Sequence, residues 1–196
     1  MSRAAPERRP AGPAQEADAA LMRRIAAGNL AALGVLYDRH VEDVRAFVGR
    51  ATSGAEDVDD LVHDVFLSLT ELASTYDGRP SARPFLIGIG AQMVRRRAQR
   101  IARAYRLLEL FRHTVPRWVR RTPEDIAGDA EEIDIVDDVL ARLSEEKRLV
   151  LLMVEREGLS GEEIAAALRI PVATVWTRLH YARAELRTAL AKRRSK

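Results

Sequence analysis

The sequence predicts an all-α fold, on three observations. Apolar residues recur at spacings of three and four over long stretches. No segment shows the strict alternation of a half-buried strand. The apolar complement is rich in small side chains and poor in large flat ones, with 31 Ala and 10 aromatics among 196 residues. Small residues suit thin, closely packed helices, whereas a β-sandwich draws more on Val, Ile, Thr and aromatics. Charged residues make up 31% of the chain, so the helices carry large wetted faces.

Taken in order, residues 1–17 hold three of the eight prolines among Ala, Gly and Arg and are expected to form a disordered tail. Helical spacing begins at Leu21 and runs through Ile25, Leu33, Leu36 and Tyr37 to Val44, Phe47 and Val48. A second amphipathic run is Val58, Leu61, Val62, Val65, Leu69 and Leu72. The stretch from Tyr76 to Pro84, with Asp77-Gly78 and two prolines, is a loop. A long helix then extends from about Phe85 to about Arg112, and an inter-domain linker covers residues 113–131. The C-terminal domain, 132–191, starts with a helix from Ile133 to Leu143. A second runs from Glu145 to Glu157, with Ser144 as its N-cap and Gly158 at its end. Residues 192–196 are a basic tail. Two small helical domains joined by a flexible linker are the expected architecture.

Several functions are excluded at this level. The absence of Cys removes disulfide frameworks, thiolate zinc sites and thiol catalysis. The four His lie far apart without metal-ligand spacing, and there is no glycine-rich phosphate loop. No catalytic set, cofactor or metal is expected, and the protein reads as a non-enzyme. The longest apolar run, Leu149 to Val154, is far short of a membrane span, and no signal peptide precedes it, so a cytoplasmic location is expected.

Net charge is only +3, but its distribution is uneven. Ten Arg fall between Met93 and Arg121 against one acid, Glu109, whereas Glu124 to Asp138 holds eight acids and no base.

The strongest local signal starts at Leu159. Ser160 and Glu163 have capping-box spacing, opening a short helix that packs through Ile164, Ala165 and Leu168. A turn at Ile170-Pro171 leads to a second helix that buries Val175, Leu179, Ala182 and Leu186. This is the build of a helix-turn-helix, in which a small residue such as Ala165 lets the two helices meet. The outward face then carries Thr174, Trp176, Thr177, Arg178, Tyr181 and Arg183. Arg178 is placed to grip guanine or phosphate, and Arg183 to hold backbone phosphate. A plain helical hairpin with a solvated polar face is the alternative.

From this point the chain resembles one family, the bacterial alternative sigma factors of the extracytoplasmic-function (ECF) group, over about residues 18–190. Glu163 to Leu168, Thr174 to Leu179 and Ala182 to Leu186 are similar to that family's reader of the promoter −35 element. Gly28-Asn29 through Tyr37-Asp38-Arg39-His40 resembles its opening helix pair. Asp59-Asp60-Leu61-Val62-His63-Asp64-Val65-Phe66 resembles its most distinctive stretch. The resemblance implies a protein that binds core RNA polymerase, directs it to promoters and starts transcription. It implies docking of Asp60, Leu61, His63, Asp64 and Phe66 on the clamp helices of the β′ subunit. Helical spacing puts Asp60 and Asp64 one turn apart with Asp57 on the neighbouring turn, either an acidic ridge for a basic partner or a plain solvated face. It implies reading and melting of the −10 element by the long Arg helix, with Gln92, Arg95, Arg96, Arg100 and Arg103 against promoter DNA. The loop from Tyr76 to Arg83 would cradle a flipped base, and an anti-sigma factor would clamp the same faces; Trp118, between Arg117 and Arg120, either anchors the linker on polymerase or packs back onto its own domain. The sequence departs from the family pattern at Phe85, Gln92 and Arg96, and at Trp176 where the family has a basic residue; His63 replaces Gln. Gly88 and Gly90 each weaken the long helix by about 1 kcal/mol relative to Ala. Two rival readings compete: an operator-binding helix-turn-helix regulator, and a sigma-like decoy that titrates an anti-sigma factor.

Overall fold

The computed structural model describes residues 16–55, 57–110 and 135–194. The tail up to residue 15, the linker 113–131 with Trp118, and residues 195–196 lie outside them. Among the described residues there are helices and turns and no strand, in two helical groups on either side of the linker.

The first apolar run is divided into α1 (Asp18–Ala26) and α2 (Leu30–Thr52). The break falls at Gly28, whose φ of +86° only glycine adopts freely. Asn29 then caps α2, its side chain accepting from the Ala32 amide at 3.1 Å. The second run is also split, into α3 (Val58–Leu67) and α4 (Leu69–Leu72), followed by a 3₁₀ turn at Ala73–Thr75. The long helix, α5, spans Arg83–Leu110 and carries Pro84 in its first turn, where a missing N–H costs nothing. After the linker come α6 (Ile135–Arg142), α7 (Glu145–Glu155), α8 (Gly161–Leu168) and α9 (Val172–Arg194).

The start of α5 is fixed by a buried carboxylate. Asp18 is only 3% exposed. It accepts from the Ala82 amide at 2.7 Å and from His40 Nε2 at 2.8 Å, and it pairs with Arg39. Burial alone would raise the Asp18 pKa, but these hydrogen bonds from Ala82, His40 and Arg39 outweigh it and hold the carboxyl below its ordinary value. One side chain thereby ties together α1, α2 and the loop that launches α5.

Phe47, Leu36, Val65, Leu86 and Ile87 fill the core of the first group, and Leu149, Met153, Ile164, Leu168 and Leu179 that of the second. The two cores are continuous, because α7 and α8 pack on α5 and α2. Gly88 marks a close approach: a Cβ there would lie 3.2 Å from the Cβ of Ala167 on α8. Its cost to helix propensity is therefore the condition for this contact. Gly90 differs, since a Cβ would meet Val48, Phe47 and Val65 at ordinary distances of 3.5–3.7 Å.

Candidate functional site

The helix-turn-helix forms as its local sequence dictates. The Ser160 hydroxyl accepts from the Glu163 amide at 3.2 Å, and the Glu163 carboxylate accepts from the Ser160 amide at 2.8 Å, completing the capping box. Hydrogen bonding to Ser160 lowers the Glu163 pKa, against the opposing effect of burial and with Arg79 adding to the fall. The turn into α9 passes through Arg169 at φ +54°, a left-handed position taken here without glycine. Val175, Leu179 and Ala182 are buried as the spacing predicts, whereas Leu186 is only half-buried, because it lies near the end where the neighbouring helices thin out. Ser144 occupies the N-cap position of α7, but its side chain makes no capping bond.

On the outward face of α9, Trp176 and Tyr181 are 51% and 55% exposed. Thr177 is exposed and donates to the Ala173 carbonyl at 2.9 Å, and Thr174 is half-buried. Arg178 and Arg183 are not idle. Arg178 pairs with Glu146 at 2.8 Å, and Arg183 with Glu155 at 2.6 Å, both acids belonging to α7.

Along α3, Asp60, His63 and Asp64 are exposed on one face, and no ion pair is found for either aspartate among the described residues. Leu67, one turn on, is 59% exposed and extends this face; its i+3 and i+4 relation to Asp64 and His63 was the signal for it. Three residues of that stretch do not lie on this face. Leu61 and Phe66 point into the core, 6% and 3% exposed, and Phe66 packs edge-on against Tyr37 with ring centres 4.8 Å apart. They brace the face from beneath instead of forming its outer surface. Asp57 is drawn away to pair with Arg97 on α5, which leaves the ridge to Asp60 and Asp64.

The α5 residues fall into two sets. Arg96, Arg100 and Arg103 are exposed, and with Leu61, Asp64 and Met93 they line an open groove of about 570 Å³ between α3 and α5. Gln92 and Arg95 turn the other way, onto the end of α8. The Gln92 amide donates to the Ala167 carbonyl at 2.8 Å, and the Arg95 guanidinium donates to the Leu168 carbonyl. The approach to α5 is held by several neighbours: Arg79 of the loop pairs with Glu163 of α8, and Arg83 at the start of α5 with Glu157, just before α8, and with Asp43 of α2. Tyr76 is also engaged, its ring edge-on against Phe85 at 5.3 Å and its hydroxyl donating to the Arg79 carbonyl at 2.7 Å. Burial, reinforced by Asp18 and Asp77, pushes the Tyr76 phenol up to about 12. On the far side, Arg148 of α7 donates to the Ala51 carbonyl at 3.2 Å and to the Ser53 hydroxyl, closing on the end of α2.

Glu145 lies half-buried at this junction. Burial pushes its pKa up to about 7, with Glu146 adding to the rise and Arg148, Arg95 and Arg178 opposing it. The groups that the sequence assigned to two separate DNA elements, Arg95 and Arg178, thus share one electrostatic neighbourhood. Among the described residues, no cluster of three or more metal-ligating side chains occurs, and no helix is long and apolar enough to cross a membrane.

Comparison with known proteins places this geometry. The sequence profile of sigma-70 region 2 matches residues 36–106, which hold the α3 face and the arginines of α5. That of sigma-70 region 4 matches residues 133–186, which hold the helix-turn-helix. A protein with both regions in this order is a sigma factor of the sigma-70 superfamily. The chain is 30% identical to the ECF RNA polymerase sigma factor SigC of Mycobacterium tuberculosis, over 86% of this chain and 88% of the relative. It is similar in structure to CnrH, solved in complex with the cytosolic domain of CnrY: the TM-score is 0.60 at 30% identity, covering 90% of this chain and 99% of that one. It shares its fold with RpoE of Bartonella quintana, solved with the anti-sigma factor NepR, at a TM-score of 0.58 and 18% identity over 79% and 94% of the two chains. The chain belongs to the ECF RNA polymerase sigma factors. It is a non-enzymatic initiation factor that binds core polymerase and recruits it to promoter DNA.

Proposed function

We propose that the two helical groups divide this work: residues 18–112 dock on polymerase and engage the −10 element, and residues 132–191 read the −35 element, with 113–131 as the link. The observation that carries the second assignment is the completed capping box leading to α9, whose N-terminal outer face carries exposed Trp176, Thr177 and Tyr181 beside Arg178 and Arg183. Asp60, His63 and Asp64 form the docking face toward the β′ clamp helices, supported from below by Leu61 and Phe66. Arg96, Arg100 and Arg103 present positive charge to the DNA backbone at the −10 element, where each neutralised phosphate releases counterions. Gln92 and Arg95 join them once they leave α8. The protein acts in the cytoplasm, and an anti-sigma factor covers the same faces; the similar fold of RpoE was solved in complex with one, NepR.

The test is a pull-down with core polymerase followed by run-off transcription on a promoter library. Binding with promoter-specific initiation is the expected result, and it defines both elements. Binding without initiation would favour a decoy, and failure to bind polymerase would favour an operator-binding regulator. Within that assay, Asp60→Ala with Asp64→Ala is expected to weaken core binding, and undiminished binding removes the docking assignment. Arg178→Ala is expected to weaken promoter binding by about 1–3 kcal/mol and to relax the −35 preference. An unchanged preference removes the recognition-helix assignment.

A further inference from the structure

The contact between Trp176 and Gly161 gives the recognition helix a feature that its basic residues do not explain. Gly161 opens α8 and is buried. A Cβ on it would lie 2.7 Å from Cζ2 of Trp176, 3.0 Å from Cε2 and 3.3 Å from Nε1. The first distance is impossible without movement of the ring, so the absence of a side chain at 161 is what seats the indole. Gly161 meets the ring on the side of Nε1, Cε2 and Cζ2, while 51% of the residue remains exposed.

An exposed aromatic on a helix that meets DNA has few partners in the major groove. Base edges there offer acceptors and donors, for which the carbon atoms of a ring are no partner, and one apolar group, the C5 methyl of thymine. The arginines further along α9 do not compete for that role in this arrangement, since Arg178 and Arg183 are drawn to Glu146 and Glu155. Thr177 spends its hydroxyl on the Ala173 carbonyl. We propose that Trp176, seated on Gly161, is a specificity-determining residue of the −35 reader, selecting thymine through its methyl group. This rests on the assignment of α9 as the −35 recognition helix.

The experiment uses reconstituted holoenzyme and a promoter selected from the library, with each thymine of its −35 element replaced in turn by deoxyuridine, which lacks only the methyl. One position, or two adjacent ones, should lose about fourfold in binding, the equivalent of about 0.8 kcal/mol for one buried methyl-sized group. That loss should vanish in Trp176→Ala and shrink in Gly161→Ala, where the ring is displaced. Insensitivity to deoxyuridine throughout the −35 element overturns the proposal, as does equal sensitivity in wild type and Trp176→Ala. A loss of polymerase binding in Trp176→Ala, with no deoxyuridine effect, would assign the indole to a protein contact and also overturns it. The underlying reading is checked separately with Arg178→Ala on the unmodified promoter. If that variant binds weakly while deoxyuridine has no effect, only the role of Trp176 falls. If the −35 element can be scrambled without effect, both fall.

Discussion

Asp18→Ala is expected to destabilise the protein by about 3–5 kcal/mol, read as a lower urea midpoint, because it removes one partner from a buried charged network. The change leaves the Ala82 amide, His40 Nε2 and Arg39 without their shared acceptor. His40 has no slack to recover, since its Nδ1 is already buried with no hydrogen-bond partner. Asn in place of Asp should recover only part of the loss, because it keeps an acceptor for Ala82 but not the charge facing Arg39. The pH dependence has a definite sign. The folded-state pKa of Asp18 is depressed, so its stabilisation is fully present above the ordinary aspartate value and is lost as pH falls through the lower, folded value. In Asp18→Ala the part of the acid-unfolding transition due to this group should disappear. A variant as stable as the wild type would show that α5 is positioned by packing alone.

The second large effect is expected at Gly88. A leucine there cannot coexist with Ala167, whose Cβ already lies 3.2 Å from where a first side-chain carbon would go. Gly88→Leu should therefore separate α8 from α5, releasing Gln92 from the Ala167 carbonyl and Arg95 from the Leu168 carbonyl. The helix itself gains, by about 1 kcal/mol, from the loss of glycine. The expected readouts are a larger radius of gyration by small-angle scattering and tighter binding of the free chain to the single-stranded −10 segment of a selected promoter. If the closed packing is worth about 1.4 kcal/mol, the gain in affinity is about tenfold. An unchanged radius would show that the helices accommodate the leucine. The wild type should move the same way with pH. Glu145, facing Arg95, Arg148, Glu146 and Arg178, has its pKa raised from an ordinary 4.5 to about 7. The closed form therefore retains a proton between those values, and packing that buries Glu145 loosens as pH rises through about 7.

Much of this architecture was legible in the sequence because it is set locally. The capping box at Ser160 and Glu163, the inward period of Val175, Leu179 and Ala182, and the exposed pair Asp60 and Asp64 all follow from spacing on a single helix. The burial of Leu61 and Phe66 was legible too: the same 3.6-residue period that turns Asp60 and Asp64 outward turns positions 61, 62, 65 and 66 inward. The resemblance marked the whole stretch, but the period says which of its residues reach the surface. What could not be read is what depends on partners far along the chain. Asp18 finds His40 and Ala82, 22 and 64 residues away. Gln92 and Arg95 look from sequence like any other members of an arginine-rich helix. Their diversion to carbonyls about 75 residues further on is decided by the packing of α8. Gly88 reads as a weak point in its helix and Gly161 carries no signal at all, and only the facing side chains of Ala167 and Trp176 give them a purpose.

The pairing of α9 arginines with α7 acids also shapes how ionic strength acts on this protein. On the proposed reading of α9, Arg178 and Arg183 exchange Glu146 and Glu155 for DNA phosphate, and each glutamate so released gathers cations from solution. That uptake opposes the release of counterions from the DNA. Promoter binding through this helix should therefore be less salt-sensitive than its count of arginines implies, because α7 already stands in for the phosphates it gives way to.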